Sequence, residues 1–536
     1  MRWLPLPQEL TVSEERLPFA GCHAIKHPPH WENAVRPLRS LGKSFGGWTA
    51  LFEHDASLAP EAYRLQVENG RIRVWAGSPR AAFYACQTLL QAWDGRSLPI
   101  MSVSDFPALA WRGVVEGFYG VPWRHAARLR MLDYMGAHKM NIYLYAPKDD
   151  PYHRDRWRVP YPAEEAERLH ELILRAQQNF IEFVFCISPG LSMVYSDPEE
   201  FERLTAKIAA VQAMGVRSFG LLVDDIPEEL QHEADKAVYP SLAHAHADLA
   251  NRLSHWLKAR DPNSWLILCP TFYHHRGEPP YVQDLGERTD RAISIMWTGA
   301  KVVSREITHE DAELFMLAIR RKPFVWDNYP VNDYEPSRLL MGPITGRTPH
   351  TLDYLEALVS NPMNQAEASK VALGTYADLL WNPTAYDPQR SWDSAIVHLV
   401  DEEALPVMRE FCQQNLWSRY WNEEPPAIAR AIEEWQKSGE TEAIREALQR
   451  LASLPRHLRQ HLNTHELLLE EIDPWLWRME RVSQLGLELL DQLDEDDLRP
   501  AHILAELEAI RNASEAIVCD GWIERWIRET LADYAS

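Results

Sequence analysis

Cysteine is scarce in this chain. The 536 residues hold six, Cys22, Cys86, Cys186, Cys269, Cys412 and Cys519, all far apart, and no Cys-x-x-Cys pair occurs. Zinc ribbons and thioredoxin-like chemistry therefore find no support, and sparse cysteine fits a reducing compartment. Long apolar runs are missing too. No stretch approaches a membrane span, and Met1-Arg2-Trp3-Leu4-Pro5-Leu6-Pro7 has too little apolar length for a signal peptide. The expectation is a cytoplasmic protein with no membrane partner. Positive charge is short, with 55 Lys and Arg against 78 Asp and Glu and a formal net charge of −23. Nucleic acids and anionic membranes need a basic face, so neither is expected as a partner, while a neutral substrate is compatible. A glycine-rich phosphate loop is absent, so no nucleotide cofactor is implied. His244-Ala245-His246-Ala247-Asp248 looks like a metal motif, but residues two apart on a helix do not share a face. No cofactor and no metal are expected.

What is present reads as three segments. Residues 1–105 suggest a small α/β domain. Tyr63–Val67 and Arg71–Trp75 are alternating runs separated by Glu68-Asn69-Gly70, a hairpin signal. Gly77-Ser78-Pro79 opens a helix that should run from Arg80 to Trp93, with Ser78 as its cap. From 106 to 391, strand-type runs alternate with amphipathic helices. Eight candidates are Trp111–Glu116, Asn141–Tyr145, Glu182–Ile187, Ser218–Val223, Trp265–Pro270, Ala292–Trp297, Phe324–Trp326 and Val371–Tyr376. Ala163–Gln178, Pro198–Met214 and Leu242–Ala259 carry helical apolar stripes between them. Eight strand–helix alternations predict an α/β fold of the (β/α)8 barrel type. The short seventh strand and the fifth-to-sixth connection, which shows no obvious helix, are the weak points of the count.

After about Trp392 the strand signal stops. Glu402–Leu416, Ala427–Lys437, Glu440–Leu451, Arg456–Leu469, Pro474–Leu490 and Ala501–Ala513 read as helices, so residues 392–536 predict an all-α domain. Their charged faces read as solvated surface; a homodimer interface is the alternative use.

The candidate chemistry sits at the ends of the barrel strands. Ser218-Phe219-Gly220-Leu221-Leu222-Val223 is a run buried on both faces that stops at Asp224-Asp225. Two charges there are costly unless paired, solvated or used, and that end of a barrel strand is the active-site face. An isolated Asp-Asp is an ordinary turn or cap. Here it is joined by Lys148, by Cys269 and Tyr273, by Thr298 and Val302, and by Trp326, Asn328 and Asp333, all at or just beyond other strand ends.

The motifs Gly113-Val114-Val115-Glu116-Gly117-Phe118-Tyr119-Gly120 and Tyr143-Leu144-Tyr145-Ala146-Pro147-Lys148-Asp149-Asp150 closely resemble glycoside hydrolase family 84, β-N-acetylglucosaminidases that include the O-GlcNAcases. Ile187-Ser188-Pro189-Gly190-Leu191, Asp224-Asp225, Trp297-Thr298-Gly299 and Trp326-Asp327-Asn328 fit in the same order. The N-terminal segment resembles the small domain that precedes the barrel in several hexosaminidase families. The resemblance implies a retaining exo-β-N-acetylglucosaminidase in which the substrate's own 2-acetamido oxygen attacks the sugar and forms an oxazoline. It implies Asp224 as the partner of the acetamido N–H and Asp225 as general acid and then base. Like charges so close are expected to push one pKa up.

By the same carry-over Gly117, through its backbone carbonyl, and Lys148 would hold sugar hydroxyls, as would Asp333 and Asn361. Asn328 would support the acetamido group, and Tyr273 the oxazoline or departing oxygen. Trp326, Thr298, Val302 and Cys269 would line a slot for the acetyl methyl. Taken alone, Trp326 and Cys269 read as core packing, and Lys148 as a surface lysine paired with Asp149 or Asp150. The implied substrate is a β-GlcNAc glycoconjugate such as an O-GlcNAc-modified protein or peptide, and Tyr152, Trp157 and Tyr195 could flank a trough for a peptide. Alternatives are an endo-acting hyaluronidase-like glycosidase and an inactive sugar-binding scaffold.

Overall fold

The computed structural model describes residues 2–41, 47–421 and 424–535; Met1, residues 42–46, 422–423 and Ser536 lie outside the described residues. The chain divides into two compact units. One comprises Met1–Asn328, Ile344–Asn361 and Gly374–Ser391; the other comprises Tyr329–Pro343, Pro362–Leu373 and Trp392–Ser536.

The first unit begins with a six-stranded sheet. Its strands are β1 (Glu9–Pro18), β2 (Ala24–Lys26), β3 (Thr49–His54), β4 (Tyr63–Glu68), β5 (Arg71–Ala76) and β6 (Ser97–Asp105), in the order β1-β6-β4-β5-β3-β2. β4 and β5 form the expected antiparallel hairpin, Tyr63 opposite Ala76 and Glu68 opposite Arg71, with Gly70 at φ +74° in its turn. Leu65, Val67, Ile72 and Val74 point to one face of the pleat and join Phe83, Tyr84 and Leu89 of the helix Pro79–Ala92 in the core. Ser78 caps that helix, its side chain accepting from the Ala81 N–H at 3.3 Å.

Eight parallel strands then close into a barrel: β7 (Trp111–Glu116), β8 (Ile142–Tyr145), β9 (Glu182–Ile187), β10 (Ser218–Leu222), β11 (Trp265–Cys269), β12 (Ser294–Trp297), β13 (Phe324–Asp327) and β14 (Ala357–Ser360). Val115, Leu144, Val184, Ile267, Met296, Phe324 and Val359 fill its interior. Seven of these strands overlap the sequence reading. The eighth does not: Val371–Tyr376 lies inside the helix Ala366–Trp381, and Ala357–Ser360 closes the barrel instead. Both runs are short, apolar and wholly buried, and periodicity cannot separate a buried strand from a buried helix segment. The helix missing between the fifth and sixth strands is Pro280–Arg288, three buried positions set among polar ones.

The sheet domain is fastened to the bottom of the barrel by a buried polar cluster. Asp105, at the end of β6, accepts from Lys139 Nζ at 2.8 Å, Tyr63 OH at 2.6 Å and Trp381 Nε1 at 2.7 Å.

The helices of the second unit include Leu405–Gln413, Ala427–Ser438, Glu442–His461, Glu466–Asp494, Pro500–Ala513 and Trp522–Ala535. Three expected helices merge into two here, because Pro455 and Pro474 lie inside helices rather than between them. A proline removes one helical hydrogen bond, but the buried stripes Leu451-Leu454-Leu458 and Ile472-Leu476-Met479 run past both prolines, and their packing carries the helices through. Among the described residues no helix is long and apolar enough to cross a membrane.

Candidate active site

β10 ends at Leu222, and the next residue is still pinned to its neighbour. Val223 N–H donates to the Cys269 carbonyl at 2.9 Å, and Thr271 Oγ1 donates to the Val223 carbonyl at 2.6 Å. The chain then turns sharply: Asp225 has φ +51°, the left-handed region, which Asp tolerates better than most residues. The two carboxylates are aimed apart by this turn and not by strand pleating.

Asp224 is buried. Its Oδ2 accepts from Lys148 Nζ at 2.5 Å, while among the described residues its Oδ1, also buried, has no hydrogen-bond partner. Lys148, which follows β8, is therefore neither a surface lysine nor the partner of Asp149 or Asp150. Burial alone would lower its pKa, but the Asp224 and Asp225 charges and Tyr119 more than offset this and hold the ammonium above its usual range. Asp150 is satisfied separately, by the hydroxyls of Tyr145 at 2.9 Å and Tyr161 at 2.7 Å.

Asp225 is partly open, with its side chain 32% exposed. Tyr119 OH donates to its Oδ2 at 2.7 Å and Tyr273 OH to its Oδ1 at 2.9 Å, with Lys148 Nζ 3.8 Å from Oδ2. The expected rise in pKa is not what this arrangement gives Asp225. Burial pushes the carboxyl up, but Lys148, the two tyrosine hydroxyls and Arg154 together hold it below the usual range. The ammonium placed against both carboxylates cancels the like-charge effect.

Gly117, Asn328, Asn361 and the Val302 carbonyl cluster around Trp326. Gly117 must be glycine because a Cβ there would stand 2.1 Å from the Trp326 ring. Trp326 Nε1 donates to Asn328 Oδ1 at 3.0 Å, Asn361 Nδ2 donates to the same oxygen at 2.9 Å, and Asn328 Nδ2 donates to the Val302 carbonyl at 2.7 Å. Asn361 stands directly after β14, so it is at a strand end although that strand was misplaced in the sequence. Cys269 and Trp326 belong to the barrel interior, with Tyr273 packed against it. Thr298 is buried, its Oγ1 donating to the Lys301 carbonyl at 2.9 Å. Val302 is 42% exposed, and its carbonyl is the part that engages the cluster. Asp333 is half-buried and belongs to the second compact unit.

The remaining strand-end carboxylates are matched. Glu116 takes a two-pronged bond from Arg128, and Asp327, on the opposite face of β13 from Trp326, is paired with Arg347 at 2.6 and 2.8 Å. The proposed trough does not hold as drawn. Trp157 is fully buried and Tyr195 is buried with its hydroxyl 3.0 Å from His246 Nε2, which leaves only Tyr152 half-exposed. His246 itself lies between the hydroxyls of Tyr195 and Tyr281, and burial pushes its pKa down to about 3. Among the described residues no group of three or more His, Cys, Asp or Glu side chains could hold a metal. Two residues of the site were not singled out from the sequence, Tyr119 and Arg154. Tyr119 lies inside the motif Gly113–Gly120; Arg154 carries no sequence signal.

Residues 112–413 match the family model described as beta-N-acetylglucosaminidase, and residues 2–106 match that of glycosyl hydrolase family 20, domain 2. The protein O-GlcNAcases of Mus musculus and Rattus norvegicus are each 42% identical to this chain over 270 residues, which cover 49% of it and 29% of them. The chain thus matches under a third of those relatives' length. A solved variant of the Thermobaculum terrenum O-GlcNAc hydrolase is 34% identical, covering 79% of this chain and 95% of its own, with a TM-score of 0.72. The structure of CpGH84B is 27% identical, covers 98% of this chain and 99% of its own, and has a TM-score of 0.84.

Proposed function

Because the chain belongs to the beta-N-acetylglucosaminidase family of glycoside hydrolases, we propose that it removes terminal β-linked N-acetylglucosamine with retention, the substrate's acetamido group acting as nucleophile. One observation carries this reading. Among the described residues a buried carboxylate, Asp224, has one oxygen without a donor, beside a second carboxylate held by two hydroxyls. A buried acceptor left unmatched costs about 1–3 kcal/mol, and a 2-acetamido N–H is a donor of the right kind.

In the first step Asp224 Oδ1 accepts the acetamido N–H and so raises electron density on the acetamido oxygen. That oxygen attacks C1, the C1–O glycosidic bond breaks, and the departing oxygen takes a proton from Asp225. Lys148 balances the Asp224 charge throughout. In the second step water attacks C1, Asp225 accepts its proton, and the oxazoline C1–O bond opens to restore the acetamide. Two inversions give net retention. Substrate that excludes water from Asp225 favours its protonated form, which opposes the Lys148 field and readies it as the acid. Gly117, Lys148 and Asn361 are proposed to hold sugar hydroxyls. Asn328 and Tyr273 would support the acetamido group and the oxazoline, with Trp326, Thr298, Cys269 and Val302 about the acetyl methyl. The name of the curated relatives, protein O-GlcNAcase, supports a glycoprotein or glycopeptide as the natural substrate.

The test is hydrolysis of an aryl β-N-acetylglucosaminide beside the same glycoside carrying N-trifluoroacetyl. A fluorinated amide oxygen is a poorer nucleophile, so a steep fall in rate is expected. Equal rates would require a protein nucleophile and remove Asp224 from its role.

A further inference from the structure

Asp225 is gripped by more than the two tyrosine hydroxyls. Arg154, on the loop beyond β8, donates from Nη1 to the Tyr119 oxygen at 3.0 Å, and its Nη2 stands 3.5 Å from the main-chain carbonyl oxygen of Asp225 itself. Its guanidinium carbon lies 5.6 Å from the centre of the Tyr119 ring. The Nε of Arg154 is buried without a hydrogen-bond partner among the described residues, so the side chain is kept here by its Nη contacts despite that loss.

A phenol has one proton. Arginine offers only donors, so the Tyr119 oxygen must act as acceptor toward Arg154 and send its own proton elsewhere. That proton goes to Oδ2 of Asp225, at 2.7 Å. We propose that Arg154 is a positioning residue for the acid–base carboxylate: it acts through Tyr119, whose proton it directs onto Asp225 Oδ2, and it steadies the left-handed turn on which that carboxylate is mounted. This rests on the reading of Asp225 as acid and base.

The groups that face Asp225 are Lys148 from the β8 end, Tyr119 from the β7 end, Tyr273 from the β11 end, Arg154, and Asp224 beside it in the chain. Taking away the Arg154 cation leaves Tyr119 a weaker and freely rotating donor. Asp225 then holds its proton to higher pH, and its carboxylate, needed to take the proton from water, is less well oriented.

The experiment is the pH profile of kcat and kcat/KM with 4-nitrophenyl β-N-acetylglucosaminide for Arg154→Met, Arg154→Lys, Tyr119→Phe and the double variant Tyr119→Phe with Arg154→Met. In Arg154→Met the basic limb of kcat/KM is expected to move up by on the order of 0.5–1 pH unit, less than a direct arginine–carboxylate pair gives. Arg154→Lys should move it less. In the position of the basic limb the double variant should match Tyr119→Phe alone, because the proton-directing effect runs through that hydroxyl; the contact of Nη2 with the Asp225 main chain would show as a further fall in kcat with the limb unmoved. A basic limb that stays in place in Arg154→Met while the rate falls, or shifts that simply add in the double variant, would overturn the proposal. Asp225→Asn, assayed with phenyl and 2,4-dinitrophenyl glycosides, separates the two levels. Equal losses on both leaving groups would sink the acid–base reading itself. A leaving-group-dependent loss with an unmoved Arg154 profile sinks only the role of Arg154.

Discussion

The barrel carries a buried lysine–aspartate pair at each end, and the two pairs are built differently. At the bottom, Lys139 meets Asp105 at 2.8 Å with side chains 1% and 0% exposed; at the top, Lys148 meets Asp224 at 2.5 Å with side chains 2% and 6% exposed. Distance and burial barely distinguish them. Hydrogen bonding does. Both oxygens of Asp105 are matched, Oδ1 by the backbone N–H groups of Gln8 and Phe106 and by Trp381, and Oδ2 by Tyr63 and Lys139. Among the described residues Asp224 has one oxygen matched and one bare. The lysines differ in consequence. Burial, with Arg112 nearby, holds Lys139 below its usual range against the pull of Asp105, whereas two carboxylates hold Lys148 above it. A closed polar cluster holds a fold together; an open one in an equally dry place keeps a position for a ligand.

The largest effects are expected at the top of the barrel. Asp225→Asn should lower turnover of phenyl β-N-acetylglucosaminide by about 10²–10⁴-fold, and much less for a 2,4-dinitrophenyl leaving group that needs little protonation. Asp224→Asn should cost about 10²–10³-fold on both, with a smaller loss in urea unfolding than the bottom pair shows, because Asp225 Oδ2, 3.8 Å from Lys148 Nζ, still faces the ammonium. At the bottom the order reverses. Asp105→Asn strands the buried Lys139 and should cost about 3–5 kcal/mol of stability, read from urea unfolding, while turnover of the folded enzyme stays within a few-fold. A bottom variant that lost activity but kept stability would abolish the distinction.

A smaller effect is expected from Gly117→Ala. The new Cβ meets the Trp326 ring at 2.1 Å, and overpacking of this kind costs on the order of 1–3 kcal/mol. It should appear chiefly in kcat/KM, because the displaced ring carries Asn328 and Asn361 with it. The smallest effect is expected at a half-buried carboxylate of the second unit. Glu471 Oε2 accepts from the backbone N–H groups of Glu367 at 2.7 Å and Ala368 at 3.0 Å, yet burial, with the Glu367 charge, pushes its pKa from 4.5 to about 7. A carboxyl raised on folding supports stability fully below its unfolded pKa and loses that support as pH climbs through its folded one. Stability should therefore decline from about pH 4.5 to 7 through this group, and Glu471→Gln should flatten that part of the profile in urea unfolding.

Much of this molecule was legible from residue pattern. β4 and β5 alternate strictly about a glycine turn, so their hairpin could be read directly. Seven barrel strands were visible because buried parallel strands are short apolar runs bounded by polar helices. The pattern points to Val371–Tyr376 instead of Ala357–Ser360, since two wholly buried apolar runs look alike whichever way they fold. Asn361 was nevertheless reached, because its assignment came from motif resemblance and not from strand counting. Trp326 and Asp327 show the converse. Their adjacency drew attention as a motif, but only the pleat separates them, one into the barrel interior and the other to Arg347. Arg154 was invisible: a lone loop arginine in a chain with many has no pattern, and its partners are 35 and 71 residues away in sequence.

The sequence by itself determined the family, the barrel, and the carboxylate pair at the end of β10, because these rest on local runs and ordered motifs. Only the tertiary structure decided how the pair is charged. Lys148, Tyr119, Tyr273 and Arg154 reach Asp224 and Asp225 from other strands and loops, and their combined field sets one carboxylate below its usual pKa and leaves the other with an open oxygen. Electrostatic energy depends on distance through space, and distance through space is what a linear sequence does not record.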